Sequence, residues 1–331
     1  MPYKNFNLLK GDTLPLVSFI LGIIFLVLLI YFLKPIAVLE VLKKITLWQF
    51  GLILTLKLVF SIFGAWKWKI ILEFYNQKIS PPKLYLFKLA TFSVSYFTPM
   101  AAVGGQAVGV MLLKNEKVPT KIGITTMLID SVLTPFISII ISFLAILIFL
   151  VTKFSSASFL IFGLLTLFLI ILFSISFLIV FKIRRTTVQK PRHNFWLRWK
   201  IIIKDFLLTF ADFFRKNKKA TLYLIALSFL SHASTLFEIF LILSFLGASL
   251  AVIELAIIEV GYTFAFIIPV SQALGTAEVS GAYFLNLLGY SATFGVSLTL
   301  ILRLRHLLVA VIGIAVLIFY GAIKLRLPKA L

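Results

Sequence analysis

The sequence predicts an all-α polytopic membrane protein with about six spanning helices plus two re-entrant broken-helix hairpins in an inverted repeat. Three observations carry this expectation. Of 331 residues, 61% are hydrophobic and mean hydropathy is +1.11, far above a soluble domain, in which roughly half the residues are apolar. Apolar runs of membrane-crossing length recur along the chain. Two further apolar regions are interrupted by proline and glycine at matching spacing.

The first run, residues 14–33, follows Lys4 and Lys10. It has the roughly 20 residues that a hydrocarbon core of about 30 Å requires and lacks a small-residue cleavage site, so it reads as a retained helix rather than a signal peptide. Runs 47–72, 122–151, 158–181, 221–246 and 292–320 complete the six spans. Region 84–113 breaks at Thr98-Pro99 and Gly104-Gly105, and region 251–288 at Pro269 and Gly275. Broken backbone at membrane depth is tolerated only where protein or a water-filled cavity surrounds it, which re-entrant hairpins provide. A proline-kinked spanning helix is the alternative for either region.

Pro99 precedes Gly105 by six positions and Pro269 precedes Gly275 by the same six; the helix starts Lys121-Ile122-Gly123 and Thr293-Phe294-Gly295 follow. Paired breaks in two halves point to a substrate site near the midplane, as in secondary transporters. Chance similarity of two breaks is the competing account.

Charge orients the chain. Lys plus Arg number 32 against 11 acids, a net +21, and such an excess belongs in loops facing anionic headgroups; nucleic acid is the lesser reading. Stretch 182–219 holds 12 Lys/Arg and 2 acids, which places it in the cytoplasm. The first hairpin then starts and ends in cytoplasmic segments with Lys78, Lys83, Lys114, Lys117 and Lys121. The second starts from the outer face, where no Lys or Arg occurs between Lys219 and Arg303. Both termini fall in the cytoplasm of a plasma-membrane protein, in agreement with Lys324, Arg326 and Lys329. Lys34, Lys43 and Lys44 disagree; they flank Glu40 in a candidate interfacial helix.

The chain is read as one domain, residues 1–331: a first half 1–181, a basic connector 182–219 and a second half 220–331. Within the connector, Trp196, Trp199, Ile203, Phe206, Phe210 and Phe213 share a helical face, with Arg198, Lys204 and Asp205 off it. A helix in the cytoplasmic interface and a connector packed on the bundle are both open.

Ionisable residues inside spans are functional candidates by default. Glu278, three positions after Gly275, is placed either to cap a helix start or to touch substrate. Arg303 offers a bidentate fork for phosphate or carboxylate, or an internal ion pair with Glu278 or Asp130. Asp130, flanked by Thr126 and Thr134, lies at nearly the place in the first half that Arg303 takes in the second. Glu238 is read as a partner for Lys57, and Arg305 with His306 as approaching an interface. The turns bearing Gly104, Gly105, Gln106, Gly275 and Thr276 supply backbone donors at helix starts, which bind anions. His193, His232 and His306 fit no metal-ligand spacing, there is no cysteine, and no hydrolase elbow or nucleotide-binding loop appears. No metal, cofactor or catalytic residue is expected.

Across 97–135 and 266–313 the sequence resembles the lysylphosphatidylglycerol synthase transmembrane-region family, a flippase-like domain. Thr98-Pro99, Gly104-Gly105, Leu112-Leu113-Lys114 and Asp130 carry the likeness in the first block; Pro269, Gly275, Glu278, Leu288-Gly289, Arg303 and Gly313 carry it in the second. The resemblance implies movement of phospholipid or another lipid-linked molecule between leaflets, with the hairpins lining the path and anionic lipids as partners. The first block departs from the family's acid and following Arg: Gln106 is followed by Ala107, Val108 and Gly109. With no aminoacyl-transferase domain in the sequence, synthesis of aminoacylated lipid is not expected. A non-transporting partner that presents lipid to a separate glycosyltransferase or aminoacyl-transferase is the alternative. An intramembrane enzyme using Asp130, Glu238 or Glu278 is the third reading.

Overall fold

The computed structural model describes residues 35–97, 103–153, 212–267 and 271–320, with Tyr31, Leu164, Leu167, Phe168 and Ile171. Among these there is no strand. The helices are α1 (Pro35–Leu42), α2 (Leu47–Phe74), α3 (Pro81–Phe97), α4 (Val103–Asn115), α5 (Thr120–Lys153), α6 (Lys218–Leu246), α7 (Val252–Ile267), α8 (Thr276–Leu287) and α9 (Ala292–Phe319), with a 3-10 turn at Ser271–Ala273 before α8.

Local chemistry sets the ends. Proline opens α1 and α3, where its missing N–H costs nothing. Asn217 caps α6 by accepting the Ala220 N–H at 2.9 Å, and Gly247 ends it at φ +92°, a left-handed stop that glycine adopts without penalty. The Lys44 ammonium donates to the Leu246 carbonyl at 3.3 Å and lies 5.2 Å over the Phe294 ring. Lys44 therefore has a local structural role at the end of α6.

Among the described residues, α2, α6 and α9 are long and apolar enough to cross a membrane, matching the expected runs 47–72, 221–246 and 292–320. Helix α5 covers the expected 122–151 and contains the shorter apolar stretch Ile137–Phe149. Runs 14–33 and 158–181 lie outside the described residues apart from isolated positions.

Small residues set the close packing. At the base of the α3/α4 pair Lys83 meets Glu116 at 2.8 Å; in its middle Gly109 abuts Thr91, and at its tip Gly105 abuts Thr91 and Ser95. Any side chain at Gly105 would collide with the Thr91 carbonyl, the kind of close approach small residues permit between membrane helices. Helices α3 and α4 are thus antiparallel. Helix α5 returns against α4 through Gly109–Met127 and Gly123–Val110. Helix α9 runs antiparallel to α3: Phe87 meets Tyr320 with ring centroids 5.3 Å apart, Gly313 abuts Leu89 and Ser93, and the Tyr96 hydroxyl donates to the Arg303 carbonyl at 3.5 Å. Since α5 runs with α3, α5 and α9 point in opposite directions.

These contacts recur 172 residues later. The turn closing α4, Val118 N–H to Leu113 carbonyl, reappears after α8 as Tyr290 to Leu285, a shift of 172 in both partners. Gly109 against Met127 reappears as Gly281 against Thr299, and Gly123 against Val110 as Gly295 against Ala282, with the same 172. The six-residue spacing from proline to glycine aligns the two sequences at 170 instead, two residues off the register of the contacts. Proline only ends the helix before it, whereas a contact glycine is held in register by the neighbouring backbone.

Candidate functional site

At the second break Gly275 has φ +82°, and its N–H is accepted by the Glu278 carboxylate at 2.7 Å, the capping role open in the sequence. Glu278 is fully buried. Arg303 from α9 forms a bidentate pair with it, Nε to Oε1 and Nη2 to Oε2, and also donates to the Gln272 and Ala273 carbonyls at 3.3 and 3.0 Å. Gln272 and Ala273 both have φ +50°, a conformation that non-glycine residues rarely adopt. Arg303 holds these two carbonyls and the carboxylate together, so most of its donors serve the turn. Thr276 Oγ1 donates to the Ala265 carbonyl at 3.2 Å, tying α8 to α7.

The first break is neutral at the corresponding place. Gln106 Nε2 donates to Ser131 Oγ at 2.6 Å; 172 residues on, these positions are Glu278 and Arg303. Ser131, not Asp130, is therefore the counterpart of Arg303. Asp130 faces the other way and takes Lys88 at 2.5 Å and Lys67 at 3.9 Å, joining α5 to α3 and α2. Lys67 and Lys88, charges inside apolar segments, are residues that the sequence reading passed over. Gly104 lies in the first turn of α4. Pro99 and Pro269 lie outside the described residues.

Glu238 does not pair with Lys57. Arg305 takes it, in ion-pair contact through Nη1, because α9 turns Arg305 inward; both are 2% exposed. Arg305 and His306 thus lie inside the bundle rather than at an interface, with Arg305 Nη2 against His306 Nε2 and the His306 ring 5.5 Å from Phe92. His232 Nε2 lies 3.0 Å from Glu259.

These groups converge on a cavity of about 480 Å³. Its wall draws Lys57 from α2, Tyr96 from α3, Ser138 from α5, Glu238 from α6, Glu259 and Thr263 from α7, and Arg303 and Arg305 from α9, with Ile139, Phe266 and Leu302 as apolar surface. Both halves and both hairpins contribute. The interfacial residues Trp196, Arg198, Trp199 and Lys204 lie outside the described residues. The end of their segment is described, and there Phe213 is fully buried, 4.7 Å from Phe74, so the final turn packs on the bundle.

A family model described as the lysylphosphatidylglycerol synthase TM region matches residues 16–313. The chain belongs to this family. Family membership and the apolar helices make it a multi-pass membrane protein. The match to the lysylphosphatidylglycerol synthase TM region takes in both hairpins, the cavity wall and the Glu278–Arg303 pair. Comparison with the curated proteins and with the solved structures finds no match.

Proposed function

We propose that this protein receives the headgroup of a phospholipid or lipid-linked molecule in the cavity between its two halves and moves it between leaflets while the acyl chains stay in the bilayer. The observation that carries the reading is the cavity itself, polar and charged in part and lined by both halves of an apolar helical bundle. Charged groups there are expensive and mark transport routes. The 172-residue recurrence, with α5 and α9 antiparallel, supports six spans and two re-entrant hairpins in an inverted repeat, an architecture suited to alternating access.

The Ser138 and Thr263 hydroxyls lie 3.5 Å apart across the α5–α7 contact, and the chain has no cysteine. Ser138→Cys/Thr263→Cys therefore introduces the sole thiol pair, close enough for a disulfide. In vesicles carrying fluorescent phosphatidylglycerol, oxidation is expected to stop translocation and reduction to restore it. Equal translocation by fully cross-linked and reduced protein would remove the alternating-access reading. Lipid binding without translocation in either state would favour a partner that presents lipid to a separate transferase.

A further inference from the structure

We infer that Lys57, rather than Arg303, is the residue that holds the phosphate of the transported molecule, at the junction of the central cavity with a smaller polar chamber. The inference rests on the lipid-path reading and deepens it by assigning the anion site.

The argument is one of charge matching. Arg303 is spent on Glu278 and on the Gln272 and Ala273 carbonyls. Arg305 is spent on Glu238, and Lys67 and Lys88 share the single carboxylate of Asp130. The Lys57 ammonium, in the middle of α2, has no ion pair or hydrogen bond to any described residue. Yet it lines both the 480 Å³ cavity and an adjoining one of about 180 Å³. The smaller chamber is walled by Ser61 of α2, Ser231, Ser234 and Thr235 of α6, and Lys88 of α3.

A cation at membrane depth is costly without an anion, and the nearby carboxylate, Glu238, is already engaged. A phosphate ester supplies the missing charge. Its acceptor oxygens meet the ammonium and the Ser231 hydroxyl, while Ser61, Ser234 and Thr235 donate to backbone carbonyls and the apolar side of the larger cavity, at Ile139, Phe266 and Leu302, faces the glycerol and upper acyl chain. Lys is suited to this as a point charge where bidentate geometry is not imposed.

The test is calorimetric titration of the detergent-solubilised protein with dihexanoyl-phosphatidylglycerol, uncharged dihexanoylglycerol and glycerol 3-phosphate. Wild type is expected to bind the phosphatidylglycerol at least about tenfold more tightly than dihexanoylglycerol, the scale of one charge-assisted contact. Lys57→Met should remove that preference, and Lys57→Arg should keep most of it. An unchanged preference in Lys57→Met, or its absence in wild type while both lipids bind, overturns the inference and leaves the lipid path standing. No binding of either lipid overturns the lipid path instead. Wild-type binding of glycerol 3-phosphate as tight as that of the lipid, lost together with it in Lys57→Met, upholds the phosphate site and shifts its occupant to a soluble ester. If Lys57→Met does not purify as a folded species, Lys57→Gln is read by the same outcomes.

Discussion

Glu278 has no exposed surface, so its charge is tolerable only while Arg303 and the Gly275 N–H meet it. Removing one partner of such a pair strands the other, at a cost of about 3–5 kcal/mol, whereas replacing both by apolar residues of similar volume is often near neutral. Arg303→Met is therefore expected to lower the unfolding midpoint in detergent sharply, and Glu278→Leu/Arg303→Met to regain much of the loss. A double variant as unstable as the single would mean that the Gln272 and Ala273 carbonyls, not Glu278, are what Arg303 holds. Part of this was legible beforehand. Glu278 three positions after a glycine is a local pattern, and the spacing that puts a carboxylate at a helix's first turn is written along the chain. The partner of Glu238 was not legible, because which cation meets it depends on how α2 and α9 are rotated about their axes, and no local pattern records that.

At the level of elements, the two hairpins share contacts but differ in chemistry at one matched place. Gln106–Ser131 occupies the position of Glu278–Arg303, so the first hairpin is joined to its following helix by a neutral hydrogen bond of about 0.5–1.5 kcal/mol and the second by a buried ion pair. Gln106→Glu and Ser131→Arg should each destabilise, since each introduces a charge with no designated opposite. The combination should be more stable than either alone, giving a favourable coupling energy in a double-mutant cycle. Additive losses would mean that the two sites are not structural equivalents. That each of the two regions divides into separate helices was legible from the Pro and Gly interruptions, but the register between them was not. Proline spacing suggested 170, and only the glycine contacts, which require the packed helices to be seen together, gave 172.

On the scale of the whole molecule, α3 packs along α9 more extensively than α5 packs along α7, although the 172-residue correspondence makes these matched pairs. The cavity wall takes residues from both pairs. If the halves are inverted, the base of the first hairpin, at Lys83 and Glu116, and the base of the second, at Ser249 and Tyr290, face opposite compartments. In sealed, uniformly oriented vesicles, a membrane-impermeant maleimide is expected to label Lys114→Cys from one side and Ser249→Cys from the other. Labelling of both from the same side would exclude the inverted arrangement. The membrane class itself was plain from composition, because apolar content is a property of the chain and does not wait for folding. The cavity was not, because its wall is assembled from six separated stretches.

The Gln272 side chain donates to the Ser95 carbonyl at 2.7 Å, a stitch across 177 residues between the tips of the two hairpins. Within the second hairpin the clasp is ionic and buried; among the described residues the first hairpin is tied to it by neutral hydrogen bonds, this one and that of the Tyr96 hydroxyl to the Arg303 carbonyl, each worth less than breaking a buried pair costs. The seam between the hairpins is therefore expected to yield more readily than the turn that Arg303 and Glu278 hold. A fracture line that runs between stiff pieces allows the same opening to be made and closed repeatedly, with each piece returning to the same fit.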